Sequence, residues 1–265
     1  MEYGIVNQTL AALRCEPFMR SEMVSQLLFG ELFTVLEQHR EWFKVIVQHD
    51  QYEGWINSRS CMLMDKVDFE LLLNPLVTRV ATRLFSAQRK GDDFPIRLCP
   101  GSTLYNFDES KGTFLIPKHT YKTPTVPFDM PKHDLREELV RLASQFVNSP
   151  YLWGGRSPYG IDCSGFTQVV FKMLGHKIPR DAGQQVALGQ PVDFLNLAQP
   201  GDLAFFDNQD GIITHVGIIL SATEIVHSSG FVRIDTLDHQ GIFDGQSKTY
   251  SHRLRVIKNL LSHLT

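Results

Sequence analysis

Cysteine is scarce and scattered: Cys15, Cys61, Cys99 and Cys163 form no CxxC pair and no Cys/His ligand spacing. Their separation excludes a zinc knuckle and a disulfide framework, so no metal or other cofactor is called for, and a reducing compartment suits all four. Lys and Arg form no run in a chain of net charge −3 and pI near 6.4. Nucleic acid is therefore not an expected partner. No stretch approaches the roughly 20 apolar residues needed to cross a bilayer, and the start, Met1 to Gln8, lacks the basic and apolar segments of a secretory signal. A cytoplasmic protein without a membrane partner is the expectation. What the chain does have is an ordinary globular composition, 43% hydrophobic and 21% charged over 265 residues, enough for two or three compact units.

Residues 1–66 read as short strands. In Trp42-Phe43-Lys44-Val45-Ile46-Val47 the apolar Phe43, Val45 and Val47 share one face, the period-two pattern of a half-buried strand. Leu32–Leu36 and Gly54–Ile56 flank it across polar turns, which suggests a small barrel. Residues 67–128 show strand candidates at Leu76–Ala81 and Phe94–Leu98, no helical periodicity, and a proline-stiffened connector at Pro124, Pro127 and Pro131. A second, divergent barrel is expected there. Residues 129–265 open on a helix capped by Asp134 with Glu137, carrying Leu135, Leu139, Leu142 and Phe146 at helical spacing and ending near Asn148. A second helix over Ser164–Leu174 precedes strand candidates Asp202–Phe206, His215–Leu220 and Glu224–His227, an α+β order.

Cys163 stands where the glycine-rich run Tyr151-Leu152-Trp153-Gly154-Gly155 and Gly160-Ile161-Asp162 gives way to that second helix. Unpaired N–H groups at a helix start favour a thiolate, which makes Cys163 the candidate nucleophile and the expected reactive thiol. Downstream, His215 and His227 lie on adjacent strand candidates joined by Ser221-Ala222-Thr223. One could take the thiol proton while the other orients it. With Leu220 opposite Glu224, His215 falls opposite Ser229, on the face of His227 and at a diagonal Cβ separation on the order of 7–8 Å.

These residues carry a resemblance. Tyr151-x-Trp153-Gly154-Gly155, Asp162-Cys163-Ser164-Gly165, Ile178-Pro179-Arg180-Asp181, Gln199-Pro200-Gly201-Asp202, His215-Val216-Gly217-Ile218 and Val226-His227-Ser228 resemble the NlpC family of papain-like cell-wall cysteine peptidases. Ser21-Glu22-Met23, Phe29-Gly30-Glu31, Trp42-Phe43-Lys44-Val45 and Tyr52-Glu53-Gly54-Trp55 resemble a bacterial SH3-like domain. Together they are similar to the γ-D-glutamyl-L-diamino acid endopeptidases. The fold implied is multidomain: all-β SH3-like barrels, then an α+β papain-like domain.

The resemblance implies that Cys163 attacks, His215 is base and then acid, His227 orients it, and Tyr151 with the Cys163 N–H stabilises the oxyanion. Trp153, with Asp162 and Ser164, would line the substrate pocket. The implied substrate is a muropeptide such as L-Ala-γ-D-Glu-diaminopimelate, cleaved by a monomer, with its free amine held by Tyr52, Asp181 and Glu22; Glu16 competes with Glu22 for that role. Ala182 replaces a small hydroxyl residue common in relatives, removing a donor for the D-Glu carboxylate. Arg180 either supplies that donor or forms a structural ion pair. Two competing readings remain: a peptidoglycan-binding module without activity, and an NlpC-related amidase or acyltransferase. The order of cysteine before histidine opposes the permuted acyltransferases.

Overall fold

The computed structural model describes residues 2–74, 76, 78–128 and 134–263. The chain divides into two compact units, Met1–Met130 and Pro131–Thr265.

The first unit contains two antiparallel sheets. Strands β1 (Glu2–Val6), β2 (Leu10–Arg14), β3 (Met23–Leu28), β4 (Leu32–His39), β5 (Trp42–Val47), β6 (Glu53–Asn57) and β7 (Cys61–Met64) form a sheet in the order β3-β2-β6-β5-β4-β1-β7. As the alternation of β5 requires, Phe43, Val45 and Val47 enter one core with Leu13, Phe33 and Ile56. The second sheet has the order β10-β9-β13-β12-β11-β8, from β8 (Thr78–Val80), β9 (Phe85–Arg89), β10 (Ile96–Leu98), β11 (Thr103–Asp108), β12 (Thr113–Ile116) and β13 (His119–Lys122).

Between the sheets lies α1 (Lys66–Leu72), a helix where none is predicted. Seven residues are too few to show a period. The helix forms because Asp65 caps it by accepting the Asp68 N–H, and because Phe69 and Leu72 are buried. They join Ile5, Phe29, Leu104 and Phe114 in a core shared by both sheets. Of the connector prolines, Pro127 is buried and its carbonyl accepts from the Thr82 N–H, so this stretch is fastened to the second sheet. Pro131 lies outside the described residues.

In the second unit α2 (Leu135–Ser144) begins as predicted, the Asp134 carboxylate accepting from the Arg136 and Glu137 N–H groups. It ends earlier than predicted, and the chain turns through Gln145–Ser149 with Phe146 still buried. The short pair β14 (Arg156–Ser157) and β15 (Gly160–Ile161) leads into α3 (Cys163–Met173), whose every residue is buried, and then into α4 (Ala182–Gln185). Strands β16 (Gln190–Val192), β17 (Leu203–Asp207), β18 (Ile213–Ser221), β19 (Glu224–Ser229), β20 (Phe231–Leu237), β21 (Gly241–Asp244) and β22 (Thr249–Asn259) make an antiparallel sheet ordered β16-β22-β17-β18-β19-β20-β21. Helices first and sheet second is the α+β arrangement predicted.

The β18–β19 hairpin corrects one detail. Its loop has two residues, Ala222 and Thr223, and it closes with Ser221 opposite Glu224, leaving Leu220 as a bulge. Beyond the bulge the pairing Gly217↔His227 restores the predicted diagonal of His215 and His227. Gly217 is required there: a Cβ would lie 2.9 Å from that of His227 and 2.7 Å from Ile225.

Candidate active site

Cys163 is the first residue of α3, behind the cap residue Asp162. The Asp162 carboxylate accepts from the Gly165 N–H at 2.7 Å and from the Gly154 N–H at 2.8 Å, tying the Trp153-Gly154-Gly155 turn to the helix start. Arg180 grips the same carboxylate with two bonds of 3.0 and 2.6 Å and donates to Ser164 Oγ at 2.9 Å. Gly165 leaves room for the turn: a Cβ there would collide with the Gly155 carbonyl.

This brace contains the ion pair that is one of the two roles left open for Arg180. Its side chain is 1% exposed and its guanidinium is engaged by Asp162 and Ser164. The Asp162 and Ser164 side chains belong to the same buried brace.

The Cys163 side chain is buried at the start of α3, and the Val216 and Ser164 backbone N–H groups favour a charge on its sulfur. Burial first, and the Asp162 charge second, nevertheless push the thiol up to about 11. The helix start does not win, contrary to the sequence-based expectation of a lowered value. Burial, helped by His252 and His227, holds His215 well below its usual value. Both shifts favour the uncharged forms, the Cys163 thiol and the His215 imidazole.

His215 Nε2 and His227 Nδ1 are 2.9 Å apart, and His227 Nε2 is 2.9 Å from Asp235 Oδ2 on β20. A third ring, His252 of β22, stacks on His215 at a centroid distance of 4.0 Å and 24°. Ring nitrogens of the three histidines fall within 4.8 Å of one another, close enough to consider a metal. The near-parallel stack keeps the in-plane lone pairs of His215 and His252 from converging, and a hydrogen bond already spans His215 and His227.

Asp235 and His252 are absent from the sequence-based candidates. Asp235 had a signal: Arg233 and Asp235 alternate on a strand pairing with that of His227. His252 had none, because β22 reaches His215 only across β17.

Tyr151 is 37% exposed and close enough to Cys163 and Asp162 for their charges to act on it. Burial chiefly raises its hydroxyl to about 12, so it remains an O–H donor. Trp153 is 61% exposed, Asp181 is half-buried at the start of α4, and Ala182 is buried. Tyr52 and Glu22 belong to the first unit: Tyr52 packs against the core beneath β5, and Glu22 is exposed, its carbonyl accepting from Cys15 N–H. Glu16 is exposed as well.

His252 gives the site a pH signature. Burial, with His227 and Arg233, drops it from 6.5 to about 4. Between those values the unfolded chain binds more protons, so this share of stability is complete above pH 6.5 and is lost as pH falls toward 4. Thermal unfolding between pH 7 and pH 4 should show Tm falling less steeply in His252→Gln than in the parent; equal slopes would contradict the shift.

A buried cysteine at a helix start, set against a sheet that carries a hydrogen-bonded histidine pair, has the makings of a thiol hydrolase. Residues 148–251 match the NlpC/P60 family and residues 13–60 the bacterial dipeptidyl-peptidase SH3 domain. The chain is 30% identical over 218 residues to the γ-D-glutamyl-L-lysine dipeptidyl-peptidase of Bacillus subtilis (strain 168), covering 77% of this chain and 71% of that one. It is 28% identical over 269 residues to dipeptidyl-peptidase 6 of Lysinibacillus sphaericus, covering 89% and 92%. The fold matches the crystal structure of an NlpC/P60 family protein from Bacillus cereus ATCC 10987 with a TM-score of 0.81 and 20% identity, covering 98% and 99%. The chain belongs to the NlpC/P60 family of cysteine peptidases.

Proposed function

We propose that this hydrolase cleaves the γ-D-Glu–diamino acid bond of peptidoglycan-derived peptides with a free N-terminal L-Ala, as one step in recycling them in the cytoplasm. The observation that carries the chemistry is Cys163 buried at the start of α3, a helix packed against β18, where His215 is bonded to His227. The substrate class is supported by relatives named for γ-D-glutamyl-L-lysine cleavage that align with 77% and 78% of the chain.

In the first half-reaction the Cys163 proton passes to His215 as sulfur attacks the scissile carbonyl carbon, whose π electrons move onto oxygen. The Tyr151 hydroxyl and the Cys163 N–H receive that oxyanion. Collapse breaks the C–N bond, His215 protonates the leaving amine, and a thioester remains. Water then attacks the thioester and gives its proton to His215. Sulfur leaves and recovers the proton, restoring the thiol and releasing L-Ala-γ-D-Glu.

The test is incubation with L-Ala-γ-D-Glu-diaminopimelate and its lysine counterpart, with mass-spectrometric detection of L-Ala-γ-D-Glu. Acetylation of the peptide amine should reduce kcat/KM about 10- to 150-fold, the value of one charge-assisted hydrogen bond of roughly 1.5–3 kcal/mol. Asp181→Asn should narrow that difference. No release from either peptide would defeat the proposal; equal rates on free and acetylated peptides would remove its free-amine part.

A further inference from the structure

We propose that Asp235 is a positioning residue that sets the tautomer of the His227–His215 pair and so keeps the one useful nitrogen of His215 free to accept the Cys163 proton. This rests on the roles of Cys163, His215 and His227 proposed above and extends them by a residue two strands away from His215.

The argument is one of donors and acceptors. A carboxylate only accepts hydrogen bonds, so the 2.9 Å contact of Asp235 Oδ2 with His227 Nε2 requires a proton on that nitrogen. In neutral His227 the proton on Nε2 leaves Nδ1 as a lone pair. That lone pair faces His215 Nε2 at 2.9 Å, so His215 must carry its own proton on Nε2 in order to donate. Its remaining nitrogen, Nδ1, is then the basic one. Reversing the chain reverses the outcome: a proton on His227 Nδ1 would donate to His215 Nε2 and move the His215 proton to Nδ1, where it blocks transfer from the thiol.

The carboxylate is itself held in place. Arg233 Nε lies 2.7 Å from the Asp235 oxygen that meets His227, and Arg233 also approaches Asp244 at 3.4 Å. Strand register makes this possible: Arg233 is paired with His227, and Asp235 lies one pleat further along the same face. The His227 side chain is fully buried and that of Asp235 is 14% exposed, so water has little room to replace the contact.

Two readouts test this, one of them independent of turnover. On protein labelled with ¹⁵N at histidine and carrying Cys163→Ala, long-range ¹H–¹⁵N spectra should show His227 as the Nε2–H tautomer and His215 as Nε2–H. Adding Asp235→Asn, which keeps the shape and can donate to His227 Nε2, should move His227 toward Nδ1–H. With Cys163 intact, Asp235→Asn and Asp235→Ala should each lower kcat on the order of 10²-fold while KM stays within about threefold, since a misplaced proton disables the general base and leaves binding alone. A His227 tautomer unchanged in Asp235→Asn, or kcat unchanged despite a changed tautomer, overturns the proposal. Should the parent enzyme itself turn over neither peptide, the substrate proposal fails while the tautomer spectra still decide the role of Asp235.

Discussion

Replacing Cys163 by alanine is expected to abolish release of L-Ala-γ-D-Glu, a loss of at least ~10⁴-fold in kcat, with the fold retained. Sulfur is the atom that forms the covalent bond, and no neighbouring group replaces it: Cys61 and Cys99 are pushed up to about 12 by burial, and neither lies in the peptidase unit. His215→Ala should fall by a comparable factor, because a thiol held near 11 needs its proton removed as it attacks. The double variant should then be no worse than either single one, since the two act as a unit. Rates measured by product release check all three. Turnover by Cys163→Ala would place the nucleophile elsewhere, and an inactive parent would favour the peptidoglycan-binding reading. Alkylation is a poorer witness than the sequence suggests. Cys15 is exposed and open to iodoacetamide, whereas Cys163 is buried and its thiol is pushed up to about 11.

The parts of the site legible in the sequence are those whose chemistry depends on local order. A cysteine following a glycine-rich loop and opening an apolar helix announces its own position, and two histidines on alternating strands announce a shared face once the hairpin is located. The bulge at Leu220 stays hidden because one extra residue leaves the apolar pattern of Ile218-Ile219-Leu220 intact. Long-range partners are harder. Asp235 meets His227 by strand pairing, and His252 reaches His215 across a third strand, relations that depend on sheet order. The ion pair of Arg180 with Asp162 is likewise a matter of packing, since it forms only because both side chains turn inward. In the first unit the alternation in β5 was plain, whereas the seven-residue α1 was invisible because its two buried residues, Phe69 and Leu72, fit a strand or a loop as well as a helix.

That buried brace underlies the largest stability effect expected of a single substitution. Asp162→Ala removes a carboxylate that accepts five hydrogen bonds, two from backbone N–H groups, two from Arg180 and a longer one of 3.5 Å from Ser164 Oγ, and leaves a guanidinium that is 1% exposed without this counter-charge. Removing one partner of a buried pair costs about 3–5 kcal/mol, and the lost helix cap, worth about 1 kcal/mol alone, overlaps with that figure. For a unit of this size the cost corresponds to a fall in Tm on the order of 10–20 °C. Arg180→Met should be milder, because Asp162 keeps its bonds to Gly154 and Gly165. Combining the two should recover part of the loss, since no charge is then left buried without its partner. Thermal unfolding of the three variants checks this order. Were Arg180 a substrate group, Arg180→Met would raise KM and leave Tm alone. As part of the brace it should lower Tm, and it should lower kcat as the turn bearing Tyr151 and Trp153 loosens from the helix that presents Cys163.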